Sequence, residues 1–133
     1  MVEATTFFRQ QMVKEHICSL RQLCIEEFGH SIEYAGVASR TKGTAKRFVE
    51  MFGGRAYDSY DALLADESID AVYVPLPPAL HYEGGKKVLL SRKHLLMEKP
   101  FTTSAAKTTG LLAIAVENGL AVHENYMFLY HSQ

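Results

Sequence analysis

The stretch Ala71-Val72-Tyr73-Val74, running directly into Pro75-Leu76-Pro77-Pro78, constrains this chain more than any other. A short apolar run rich in β-branched and aromatic residues reads as a buried strand. Proline has a fixed φ and no N–H, so the strand must end there in a rigid loop. Similar strands recur along the chain, separated by segments with helical periodicity. Ile32 to Ala38 reads as a strand, Ser39 to Gly43 as the turn after it, and Thr44 to Phe52 as a helix with Ala45, Phe48, Val49 and Phe52 on one face, stopped by Gly53-Gly54. Arg55 to Tyr57 fits a short strand, and Ser59 can cap a helix carrying Leu63 and Leu64. A helix from about His81 to Ser91 is followed by the strand His94 to Met97, closed by Glu98-Lys99-Pro100. Ser104 to Asn118 reads as a helix stopped by Gly119, and a last strand starts at Ala121. Ahead of all these, Thr5 to Phe28 is a helical segment with Gly29 at its end. Strands alternating with helices in this way predict the α/β class, with βαβ units on a parallel sheet.

Composition narrows the class further. Of 133 residues, 47% are apolar and 22% charged, with 14 Lys+Arg against 15 Asp+Glu. A chain of that length buries roughly two-thirds of its unfolded surface, enough for a core without disulfide or metal support. The balanced charge argues against a nucleic-acid partner or an acidic membrane surface, which need a basic excess. Apolar stretches are interrupted well short of the roughly 18 residues of a membrane span, and Met1-Val2-Glu3-Ala4 does not begin a signal peptide, so the expected compartment is cytoplasmic. Cys18 and Cys24 fall about 9 Å apart on a helix, too far for a disulfide. His16, His30, His81, His94, His123 and His131 lack paired ligand spacing, and no metal is predicted.

In open parallel sheets, ligands bind beyond the C-terminal ends of the strands. The loops at Ser39-Arg40, at Pro75 to Pro78 and at Glu98-Lys99-Pro100 are therefore expected to line one site. These loops, with His81 and the segment Glu124-Asn125-Tyr126-Met127-Phe128 and His131-Ser132-Gln133, resemble the Gfo/Idh/MocA family of NAD(P)-dependent oxidoreductases, which act mostly on sugars and inositols. The resemblance covers roughly Tyr34 to the end and is closer to one subgroup, the NDP-hexose 3-ketoreductases. It implies a Rossmann-like, doubly wound parallel sheet and hydride transfer to or from a sugar or sugar-nucleotide carbonyl.

It also implies roles. Lys99, placed beside the nicotinamide, would polarise the substrate oxygen and help deliver a proton; the structural alternative is an ion pair with Glu98 or Glu124. Glu98 would orient it, and Pro100 would fix the backbone. Pro75, Leu76, Pro77 and Pro78 would edge the cofactor cleft, and Asn125 and Tyr126 would approach the nicotinamide end, although Tyr126 and Phe128 fit a core equally well. His81 reads as a ligand contact or a satisfied structural group. The turn Ser39-Arg40-Thr41-Lys42 has a hydroxyl and cations but no carboxylate. Arg40 in that place suits a ribose 2'-phosphate, which favours NADP(H) over NAD(H); a solvated basic turn is the alternative.

The chain departs from the family at both ends. No glycine precedes Gly29, and the expectation is a chain without the G-x-G-x-x-G turn and first, central strand in front and without the substrate domain behind. Residues 1–133 are expected to form a partial dinucleotide-binding domain, lacking the second domain in which the resemblance implies substrate contacts and a homo-oligomer interface. A sheet without its central strand leaves edges unpaired, and poor solubility of the isolated polypeptide is the expectation. Two functions stay open: an NADP-dependent oxidoreductase present as a partial chain, and a non-catalytic remnant or binding module with an incomplete nucleotide site.

Overall fold

A computed structural model of the chain describes residues 33–126. The predicted helix over Thr5 to Phe28, both cysteines and the segment after Tyr126 lie outside the described residues. The chain divides into two compact units, Met1–Tyr60 and Asp61–Gln133.

In the first unit, β1 (Gly36–Ala38), α1 (Lys42–Phe52) and β2 (Arg55–Tyr57) form a βαβ unit. The strands pair in parallel, with Gly36 opposite Arg55 and Ala38 opposite Tyr57. α1 buries Ala45, Phe48 and Phe52 along one face, with the two phenylalanine rings 5.7 Å apart, as the 3.6-residue period dictates. Of the strand predicted from Ile32 to Ala38, Ile32 lies outside the described residues and Glu33 to Ala35 stand ahead of β1. Its partner β2 has three residues, and the Arg55 N–H also donates to Ala35 O at 2.9 Å.

The second unit holds most of α2 (Tyr60–Leu64), which begins at the last residue of the first. Then follow β3 (Ala71–Val74), α3 (Pro78–Leu90), β4 (His94–Met97), α4 (Ala105–Asn118) and β5 (Val122–Glu124). The sheet order is β3-β4-β5, all parallel, as the strand and helix alternation predicts. α3 starts at Pro78 and not at His81. A proline at the first helical position has no N–H to leave unpaired, so Pro78 opens the helix while Pro77 caps it. Ser104 caps α4, its Oγ accepting from the Lys107 N–H, and Gly119 ends the helix in the left-handed conformation, φ 66.

The core of this unit joins both helices to one face of the sheet: Val88 and Leu89 from α3, Leu111 and Ala115 from α4, and Val74, Leu95 and Met97 from the strands. Val72 and Val122 pack against it. Lys93, just ahead of β4, is only 4% exposed. Its ammonium donates to Asp66 O and Ile69 O, each at 2.7 Å, so the charge serves to close the loop before β3.

The close approach of α3 to the sheet depends on Gly85. A Cβ there would lie 2.8 Å from Met97 Cε, 3.1 Å from Leu95 Cδ2 and 3.2 Å from Leu111 Cδ1. Replacing Gly85 with valine is expected to lower stability by about 2 kcal/mol, overpacking outweighing the gain in backbone entropy. Urea unfolding measures this, and an unchanged midpoint would mean that α3 can lift from the sheet without loss.

Candidate functional site

Register brings the strand ends of the second unit to one level. Val74 pairs with Met97, and Met97 with Glu124, so Pro75, Glu98 and Asn125 follow the three strands side by side. The Asn125 N–H donates to Met97 O at 2.8 Å and the Glu98 N–H to Val74 O at 3.4 Å, extending the ladder by one residue on each strand. The sequence Glu98-Lys99-Pro100-Phe101 leaves the sheet at this level.

Nearly every residue of that loop is tied down. The Tyr73 hydroxyl donates to Glu98 Oε1, and the Asn125 side-chain amide donates to the same oxygen at 2.7 Å. Glu98 Oε2 accepts from the Lys99 N–H at 3.3 Å. The Phe101 N–H donates to Glu124 Oε1 at 2.6 Å. Burial holds the Tyr73 hydroxyl far above the ordinary tyrosine range, and the hydrogen bond to Glu98 and its negative charge push in the same direction against a smaller opposing effect of Asn125. Tyr73 therefore remains a hydroxyl donor to the carboxylate.

His81 anchors the other side of the loop. It is fully buried, with Nδ1 2.8 Å from Pro100 O and Nε2 2.6 Å from Leu76 O. A carbonyl oxygen can only accept, so the ring serves as the N–H donor between the two loops. The expectation that His81 contacts a cofactor is corrected here: with no exposed surface and both nitrogens engaged, it joins the loop after β3 to the loop after β4. Of the two readings left open by its position, the structure selects the satisfied structural group.

Lys99 and Pro100 are exposed, and the peptide between them is cis. The Lys99 ammonium has no hydrogen-bond or ion-pair partner among the described residues. Glu98 and Glu124, its alternative ion-pair partners, are engaged instead by Tyr73 and Asn125 and by the Phe101 amide. Pro75 and Leu76 are half-buried and Pro77 is exposed. Leu76 also packs against the core, so its side chain is shared between the loop and the interior. In the first unit, Ser39 Oγ accepts from the Thr41 N–H at 3.3 Å, and Arg40 is exposed just before α1.

The structure thus brings Pro75, Leu76, His81, Glu98, Lys99, Pro100 and Asn125 together at the strand ends of one unit and carries Ser39 and Arg40 on the other. Tyr73 is the participant that sequence reading missed. Its signal was available in the period of two: Tyr73 falls on the face opposite Val72 and Val74, the face on which Glu98 and Asn125 also fall. A surface recess of about 310 Å³, lined by Asp61, Leu64, Lys87 and Leu90 among others, opens at the far end of α3 and includes none of these residues. Among the described residues no group of three or more His, Cys, Asp or Glu could hold a metal, and no helix is long and apolar enough to cross a membrane.

Parallel strands with helices between them, and polar loops gathered at the strand C-termini, define an α/β domain of the Rossmann type. The chain belongs to the family described as an oxidoreductase family with an NAD-binding Rossmann fold, GFO_IDH_MocA, which matches residues 9–126. It is 48% identical over 101 residues to a dTDP-3,4-didehydro-2,6-dideoxy-alpha-D-glucose 3-reductase of Actinomadura kijaniata, an alignment covering 76% of this chain and 30% of the relative. It is 39% identical over 100 residues to D-xylose 1-dehydrogenase (NADP(+)) 2 of Haloferax volcanii, covering 74% of this chain and 31% of that one. Among solved structures, it is similar to KijD10, a 3-ketoreductase from Actinomadura kijaniata in complex with NADP and TDP-benzene. The TM-score is 0.74 at 48% identity, over 76% of this chain and 31% of that one. The chain therefore spans about 30% of the length of the curated relatives it matches.

Proposed function

We propose that the chain supplies the partial dinucleotide-binding domain, residues 1–133, of an NADP-dependent oxidoreductase that transfers a hydride between the nicotinamide and a carbonyl or hydroxyl of a sugar or sugar nucleotide. The observation that carries this reading is the state of Lys99: an exposed ammonium without a partner among the described residues, on a loop whose flanking residues are pinned. A pre-positioned cation of this kind lowers the barrier by stabilising charge that develops on the substrate oxygen as hydride arrives, and it can supply the proton. Glu98 orients the loop, Pro100 and Asn125 frame it, and Pro75, Leu76 and Pro77 border it. The names of the similar enzymes, which act on sugar nucleotides and a pentose, support the substrate class.

Cofactor preference rests on the chemistry at the start of α1. Ser39 offers a hydroxyl and Arg40 a guanidinium, with no carboxylate in the turn, a donor set that fits the 2'-phosphate of NADP. The unpaired amides at a helix N-terminus add to the attraction for an anion. Bound there, NADPH would supply the hydride. The NADP in the similar KijD10 complex supports the same choice. Arg40→Asp is expected to weaken NADPH binding by about tenfold to a hundredfold, the range for hydrogen bonds to charged groups, and to change NADH binding far less. Fluorescence titration of the two nucleotides measures this, and equal losses would remove Arg40 from the assignment. A second reading is a binding module without turnover. Saturable NADPH binding without NADPH oxidation in the presence of a ketosugar nucleotide would favour it.

A further inference from the structure

The assignment of Lys99 leaves unexplained why three neighbouring strand ends spend their polar side chains on one carboxylate. Val72, Val74, Leu95, Met97 and Val122 belong to the helix-covered core, so alternation puts Tyr73, Leu96 and Glu98, and Asn125 beyond β5, on the other face. Tyr73 pairs with Leu96, which makes it the diagonal neighbour of Glu98, while Asn125 follows Glu124 at the level of Glu98. Both donate to Glu98 Oε1, which frees Oε2 to accept from the backbone of Lys99. A lone carboxylate on a loop has several rotamers. One held by two donors from flanking strands has its second oxygen aimed in a single direction.

We infer that Tyr73 is a positioning residue for Lys99, acting through Glu98: its hydroxyl, together with the Asn125 amide, locks the carboxylate that receives the Lys99 N–H and so sets the path of the backbone from which the Lys99 ammonium projects. The functional consequence rests on the reading of Lys99 above; the positioning itself does not. Tyr73 suits the task because burial and the adjacent carboxylate hold its hydroxyl protonated far above the ordinary tyrosine range, so it stays a donor beside Glu98.

The test uses the whole chain and does not require turnover. By heteronuclear NMR, the Lys99 amide is expected to exchange with solvent about tenfold more slowly than an unbonded amide. Tyr73→Phe and Glu98→Gln should each abolish that slowing, and the double variant should add nothing, since both act through one carboxylate. The amide of Leu95, which donates to Ala121 O within the sheet, should keep its protection in all three. Followed at its ring resonances, Tyr73 should ionise at lower pH in Glu98→Gln than in the parent chain, because the acceptor and its negative charge are gone. A Lys99 amide unmoved by Tyr73→Phe overturns the inference, as does a loss shared equally by Leu95, which would make Tyr73 a general part of the fold. A Tyr73 titration indifferent to Glu98→Gln also overturns it. The catalytic reading fails separately, through turnover that survives Lys99→Ala with these exchange results intact.

Discussion

Lys99→Ala is expected to lower the rate of NADPH oxidation against a ketosugar nucleotide by about a hundredfold to a thousandfold, while stability stays within about 0.5 kcal/mol of the parent chain. The two halves of this result have different causes. The Lys99 side chain is exposed and has no partner among the described residues, so its removal leaves no buried group unsatisfied and no cavity. Glu98 keeps its bonds to Tyr73 and Asn125, and Pro100 O keeps His81. What disappears is the cation available to the developing oxyanion, and NADPH affinity should change little, since no contact assigned to the 2'-phosphate lies on this loop. Lys99→Arg should restore only part of the rate, because a guanidinium keeps the charge but does not release a proton. Steady-state kinetics with nucleotide titration checks these points. Turnover close to that of the parent in Lys99→Ala would remove Lys99 from the chemistry.

His81→Ala is expected to show the reverse pattern, a loss of about 3 kcal/mol in stability. The ring has no exposed surface and spans Pro100 O and Leu76 O. Truncation removes the ring from between two carbonyls, taking the N–H donor from at least one of them at a cost of about 1–3 kcal/mol if that oxygen stays buried, and adds a cavity where the ring stood. Water entering the space offsets part of this. Against the roughly 5–15 kcal/mol by which domains are stable, the change is large enough to appear as a clear fall in the urea midpoint. The loop carrying Lys99 should lose order with it, since Pro100 is then held only through its chain neighbours. A midpoint equal to that of the parent would show that the ring bonds are dispensable and that the two loops are joined by other contacts.

Much of the fold was legible because its signals are local. The proline run after Val74 ends β3, Gly119 ends α4, Ser104 caps it, and β4 occupies the four residues read as a strand from His94 to Met97. The errors are also local in origin. The start of α3 was placed at His81, because proline was read as a breaker when it stands at the one helical turn that tolerates it. Lys93 carries no comparable local signal, because its ammonium is buried on two carbonyls distant in sequence. Neither carbonyl can be identified as its partner until the loop before β3 has folded against it.

The sequence by itself determined the order of the described elements, the parallel α/β class and the loops that follow the strands, since apolar periodicity, turn residues and caps act over a few neighbours. It also singled out Glu98-Lys99-Pro100 as a motif. Only the tertiary structure decided how that motif is held. Tyr73 and Glu98 are 25 residues apart, and Glu98 and Asn125 27; His81 reaches Pro100 across 19. Which of these side chains meet is set by strand register, and a shift of one residue would turn Tyr73 to the opposite face of the sheet from Glu98. Register comes from the packing of Val74, Leu95 and Met97 beneath α3 and α4, a property of the assembled core that no single segment contains.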